Sequence, residues 1–163
     1  MKKYLIVFLV VLATGCIFKG HYEGSGIAFD YSMGWEPGTV MDLPGAIVGV
    51  SNPSGNSEVI IFKEKANSTL KEKYLESAQK LARELSGYCY KQISNRTFMV
   101  DGSEAYEIVY TIGCDQTQTR QQTRLVILQK GDYFYIIDCK TTPENFKQEN
   151  PNFDIIINSL DIL

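Results

Sequence analysis

The sequence predicts an α+β domain, an antiparallel sheet of about six strands with helices kept to its faces. Three observations predict it. One long stretch, from residue 70 to 85, repeats its apolar residues at helical spacing. Short β-branched and aromatic runs elsewhere are separated by turn dipeptides such as Asp101-Gly102 and Gly131-Asp132. The order runs strands, helix, strands, helix, which segregates the two kinds of element instead of alternating them. A chain of 163 residues suits one domain, and its size suffices for a core without a structural metal.

In chain order, Gly26 to Tyr31 is the first strand candidate, and turns are marked over Met33-Gly34-Trp35-Glu36-Pro37-Gly38. Ala46 to Val50 and Glu58 to Lys63 form a hairpin around the turn cluster Asn52 to Asn56. Thr69-Leu70-Lys71-Glu72 is a capping box: the threonine hydroxyl takes an orphan N–H while the glutamate reaches back. Apolar residues at 70, 74, 75, 78, 81, 82 and 85 then mark a helix, and Gly87 stands where a left-handed cap is wanted. Tyr88 to Val100 and Ser103 to Ile112 pair through Asp101-Gly102, which favours a type I′ turn. Asp115 to Gln122 is a polar loop. Arg124 to Lys130 and Tyr133 to Cys139 make the last hairpin. Pro143 to Gln148 reads as one or two helical turns, and Asn152 to Leu160 as a short separate helix.

The N-terminus carries the compartment signal. Met1-Lys2-Lys3 is a positive start, Tyr4 to Ala13 an unbroken apolar run, and Thr14-Gly15-Cys16 a small-residue close. The apolar run is half the length of about 20 residues that spans a bilayer. Leu12-Ala13-Thr14-Gly15-Cys16 resembles a prokaryotic lipobox with its leucine one place early; the alternative is an ordinary signal peptide that contains a cysteine. The expected organisation is residues 1–15 as lipoprotein signal peptide, 16–25 as a lipidated flexible tether, and 26–163 as one domain. Lipid on Cys16 would place the protein at the cell membrane, on its extracytoplasmic face. A single acyl chain holds a protein only marginally, whereas a diacylglyceryl group anchors it firmly.

Several motifs resemble PsbP-like and Mog1-like domains. These are Phe29-x-Tyr31-x-x-Gly34-Trp35, Gly102-x-Glu104-Ala105-Tyr106, Gly131-Asp132-Tyr133-Phe134-Tyr135-Ile136, and Phe153-x-x-Ile156-x-x-Ser159. Ser32 stands where that pattern has proline, and Leu160 where it has phenylalanine. The resemblance implies a curved antiparallel sheet between helical layers, an α/β/α sandwich. It implies no catalytic or metal-binding residue, because a shared fold does not transfer a function.

Composition narrows the chemistry. The formal charge is −3, and removal of Lys2 and Lys3 with the signal makes it more negative. No basic stripe of the nucleic-acid-binding kind is present, so no nucleic acid is expected as a partner. His21 is the one histidine and falls in the expected tether, which argues against a histidine triad and a histidine-based zinc site. No metal or other cofactor is expected. Asp30, Glu36, Asp42, Glu58, Glu104, Glu107 and Asp138 are scattered, and Glu58, Glu104 and Glu107 are expected on solvated strand faces. Tyrosines 88, 90, 106, 110, 133 and 135 crowd the later strands, either as packing or as a recognition face. Asn67 and Asn95 open glycosylation sequons.

The cysteines permit one pairing argument. With a two-residue turn at Asp101-Gly102, Val100 faces Ser103, and counting outward Cys89 faces Cys114. That position is a non-hydrogen-bonded pair, whose close Cα spacing suits a disulfide. Cys89–Cys114 is therefore expected with Cys139 free; three reduced cysteines, or a bulge that spoils the register, are the alternatives. The functional expectation is a lipid-anchored, non-catalytic binding or accessory module, held to the membrane through Cys16 and with a possible protein partner there. The second class is a cell-surface hydrolase built on a carboxylate pair.

Overall fold

A computed structural model describes residues 19–40, 42–114 and 120–163. The expected signal peptide and Cys16 lie outside them. Ten strands and two helices follow one another: β1 Lys19–Gly24, β2 Ile27–Ser32, β3 Glu36–Gly38, β4 Ala46–Ser51, β5 Glu58–Lys65, α1 Leu70–Glu84, β6 Lys91–Val100, β7 Ser103–Ile112, β8 Gln121–Lys130, β9 Tyr133–Thr141, α2 Phe146–Ser159 and β10 Asp161–Ile162. A 3-10 turn, Ser86–Tyr88, joins α1 to β6.

The main sheet has seven strands in the order β3-β4-β5-β9-β8-β7-β6, one more than expected, and every pairing is antiparallel. The extra strand is β3, whose Pro37 reads in sequence as a turn. Proline cannot donate to a ladder but is tolerated at a sheet edge, which is where Pro37 sits. A second sheet, β1-β2-β10, lies with α2 against one face of the first. Between them is the core: Val59, Ile61, Val126, Leu128 and Ile137 meet Ile27, Phe29, Phe153, Ile156 and Ile157, all fully buried. The other face carries α1.

Two expectations about the ends of the domain are corrected. The tether expected over 16–25 is largely strand: β1 pairs along its whole length with β2, from Lys19 opposite Ser32 to Gly24 opposite Ile27. The glycines that suggest a linker have local work. A Cβ on Gly20 would overlap the Tyr31 ring, and Ser25-Gly26 turns the hairpin with φ of 53° and 76°. His21 consequently sits in the fold, 3.0 Å from the Asp30 carboxylate. At the other end, α2 runs unbroken through Pro151. Proline costs one backbone bond, and the apolar anchors on both sides of it, Phe146 and Phe153, pack on the core with ring centroids 6.3 Å apart.

The capping box forms as read. Thr69 Oγ1 accepts from the Glu72 N–H at 3.3 Å, and Glu72 accepts from the Thr69 N–H at 2.8 Å. Helix α1 has no fully buried residue, so it lies on the sheet as a partial cover. Tyr74 stacks on Tyr106 there at 4.7 Å. The Asp101-Gly102 turn has φ of 47° and 68°, the left-handed pair of a type I′ turn.

Candidate functional site

The paired cysteines are where the sequence put them, by a different route. The β6–β7 ladder holds the counted register from Val100 opposite Ser103 to Ser94 opposite Val109, then slips by one residue at a bulge around Ile93. Cys89 is outside the ladder, in a left-handed conformation after the 3-10 turn. The Tyr88 carbonyl accepts from the Gly113 N–H at 2.8 Å and closes the end of the hairpin. Cys89 and Cys114 are disulfide-bonded with Cα atoms 5.0 Å apart. Cys139 is free and buried, and burial pushes its thiol far above the ordinary range.

On the sheet face that carries α1, alternation places a polar seam across four strands. The register sets Glu58 of β5 opposite Lys140 of β9, Lys140 opposite Thr123 of β8, and Thr123 opposite Tyr110 of β7. Asp138, two residues before Lys140 and hence on the same face, accepts from its ammonium at 3.0 Å; Glu58 lies 3.8 Å from that ammonium on the other side. Burial pushes the Asp138 carboxyl above its usual range, with the Lys140 charge opposing. Burial, reinforced by Asp138, also pushes the Tyr110 phenol up to about 12. Three buried oxygens in this region, Tyr90 Oη, Thr123 Oγ1 and Asp138 Oδ1, have no hydrogen-bond partner among the described residues.

Glu58 and Lys140 separate two surface cavities. The larger, about 430 Å³, lies over β4 and is bordered by Glu36, Val40 and Leu43. Gly49 also lines it, and a Cβ there would stand 2.7 Å from Val40 Cγ2. The smaller, about 270 Å³, reaches Arg120 and Thr142. Chemically the seam offers one ammonium flanked by two carboxylates, with hydroxyls behind it. That arrangement suits polar ligands that exchange hydrogen bonds with fixed groups. No group of three or more metal-ligating side chains occurs among the described residues.

The opposite face contains an ion cluster that the sequence reading misplaced. Glu107, expected on a solvated face, is 4% exposed. It accepts two bonds from Arg96, at 2.8 and 3.0 Å, and one from Arg124 at 2.6 Å. Arg124, 2% exposed, reaches across to α2, where Asp154 accepts at 2.6 Å and Asn150 at 3.1 Å. Strand periodicity does put Glu107 on one face with Ala105 and Val109, but it cannot say that α2 covers that face. The lone clue is Arg124, placed among the apolar residues of β8. Glu104 stays exposed as expected, and Glu58 is half-buried. Asn67 is exposed ahead of α1, while Asn95 lies in mid-β6.

Comparison with known proteins fits this architecture. The solution structure of the cyanobacterial PsbP (CyanoP) from Synechocystis sp. PCC 6803 superposes with a TM-score of 0.69 at 14% identity, covering 92% of this chain and 95% of that one. The Saccharomyces cerevisiae Ran-binding protein Mog1p gives 0.63 at 10% identity over 90% and 96%. Mycobacterium tuberculosis LpqN, described as involved in cell envelope biogenesis, gives 0.59 at 10% identity over 88% of each chain. No curated protein matches the sequence. The family model for PsbP-like protein matches residues 16–162, and the chain therefore belongs to the PsbP-like family.

Proposed function

We propose that this protein is a lipid-anchored, extracytoplasmic binding or accessory module that acts by contact instead of turnover. The observation that carries the reading is the adjacency of Cys16 to the folded domain. The signal-like segment ends at Cys16, and β1 begins at Lys19. Three residues reach about 10 Å at full extension, so a lipid on Cys16 would hold the domain against the bilayer surface. Lys19 shares a surface hollow with Asp154 and Asn158 of α2, and in this reading that end of the molecule faces the membrane. The envelope role ascribed to LpqN, a protein of the same fold, is in keeping with this reading. Cys16→Ser tests it: membrane fractionation and intact mass should show a released or untrimmed protein, and unchanged membrane association with normal trimming would refute anchoring.

One observation favours a second reading. Glu58 and Asp138 flank the same ammonium, and Glu58 lines both cavities, which brings two carboxylates together as a carboxylate-based hydrolase requires. Lys140 occupies the space between them, which favours a structural ion pair over an acid–base pair. A panel of glycoside and ester substrates decides the matter. Turnover abolished by Glu58→Gln or Asp138→Asn in a folded protein would install the hydrolase.

A further inference from the structure

The two edges of the main sheet are built differently. At one end β3 is three residues long and contains Pro37, which blunts it as a template for further pairing. At the other end β6 runs for ten residues without proline. Its residues from Lys91 to Thr97 are all exposed, so neither helical layer covers this strand. Long, open edges are rare in isolated domains because they invite another strand. β6 is held out by its ladder to β7, by the disulfide at its base, and by the grip of Arg96 on Glu107. Because Val100 and Ser103 flank a type I′ turn, alternation points the N–H and C=O groups of Met99, Thr97 and Asn95 away from β7. Among the described residues β6 pairs with no strand but β7.

Beside this edge is a cavity of about 350 Å³ bordered by Ile93, Ser94, Arg96, Arg124 and Phe146. Two guanidinium groups meet two carboxylates there, Glu107 between them and Asp154 of α2 beyond Arg124, so the positive charge left for a ligand at the edge is that of the strand's own exposed Arg96 and Lys91. Arg124 spends Nε and Nη1 on Glu107, Asp154 and Asn150, and Arg96 spends Nε and Nη2 on Glu107. Arg96 Nη1, on a side chain that is 55% exposed, donates to no acceptor among the described residues, whereas Arg124, 2% exposed and two strands in from the edge, is out of reach of a strand added to β6. The strand itself adds Lys91 and has no acid, in a protein whose overall charge is negative.

We infer that β6 is a docking edge for an extended acidic segment of a partner protein, which adds to the sheet as an eighth strand of the main layer. Backbone pairing would supply affinity, and an aspartate or glutamate side chain reaching the free Nη1 of Arg96 would supply selectivity. A second copy of this chain fits less well. Antiparallel β6–β6 pairing about a two-fold axis sets residues of like parity opposite one another. In the centred registers it places Arg96 opposite or diagonal to its own counterpart, and like charges there oppose pairing. The inference deepens the binding-module reading but fails separately from it, since fractionation reads Cys16 and the following experiment reads β6.

The probe is the peptide Thr-Val-Glu-Val-Glu-Val-Glu-Thr, with the same peptide carrying lysine in place of glutamate, titrated against the purified full chain. The glutamate peptide should bind at least about tenfold more tightly and slow amide exchange at Asn95, Thr97 and Met99. Thr97→Pro removes an outward N–H without touching the β7 ladder and should abolish binding with the disulfide and melting temperature retained. Asn95→Pro serves if the first variant fails to fold, and the exchange measurement needs no variant. Equal affinities for the two peptides, protection elsewhere, or sedimentation as a dimer that protects the same three amides would each overturn the inference.

Discussion

Neutralising the buried Glu107 should cost the fold several times what removing an exposed charge of the main sheet costs. Glu107→Gln keeps the shape of the side chain and leaves Arg124, 2% exposed, with Asp154 as its one remaining counter-ion. Removing one partner of a buried pair costs about 3–5 kcal/mol. Glutamine retains a carbonyl acceptor for one guanidinium, so about 3 kcal/mol is expected. Arg96 binds the same carboxylate but is 55% exposed, and Arg96→Ala should cost no more than about 1 kcal/mol. The double change Glu107→Leu with Arg124→Met removes both buried charges and should recover much of the loss, because apolar replacement of a buried pair is often neutral. Urea denaturation at neutral pH with far-ultraviolet circular dichroism measures all three. A Glu107→Gln loss no larger than that of Arg96→Ala would refute the burial argument, and so would a double variant less stable than Glu107→Gln.

Three other outcomes are expected. Replacing Cys89 and Cys114 together by alanine opens a loop with a sequence separation of 25, which loop entropy values at about 3.5 kcal/mol; denaturant unfolding measures it, and Cys139 should resist alkylation until the chain unfolds because it is buried. The Tyr110 phenol is raised to about 12 from an unfolded value near 10, so its contribution is intact below about pH 10 and lost as pH rises towards 12. Two pK units amount to about 2.7 kcal/mol, and Tyr110→Phe should flatten the alkaline stability profile by that order relative to the parent. Thr69→Ala removes half of the capping box and should cost about 1 kcal/mol, read as a lowered melting temperature; an unchanged value would mean that α1 frays without consequence.

The elements whose signals are local were legible before folding was considered. Helix α1 follows from a capping box and a 3.6-residue stripe, and the β6–β7 hairpin from Asp101-Gly102, because both are set by backbone geometry within a few residues. The ordered packing motifs were enough to mark the family. The Cys89–Cys114 pair was legible too, although the bulge at Ile93 shows that the counted register is not what joins it: the 3-10 turn and the left-handed Cys89 bring the chain back. The rest depends on contacts between elements distant in the chain. Whether Gly20 and Gly26 loosen a linker or shape a hairpin depends on Tyr31 and β2, and those contacts exist only after pairing. Glu107 looks like any strand carboxylate until α2 crosses over its face. The seam of Glu58, Asp138, Lys140, Thr123 and Tyr110 draws on four strands whose spatial order, β5-β9-β8-β7, differs from their order in the chain. Periodicity gives each residue a face; only strand order gives it neighbours, and charge, burial and ligand geometry are properties of neighbours.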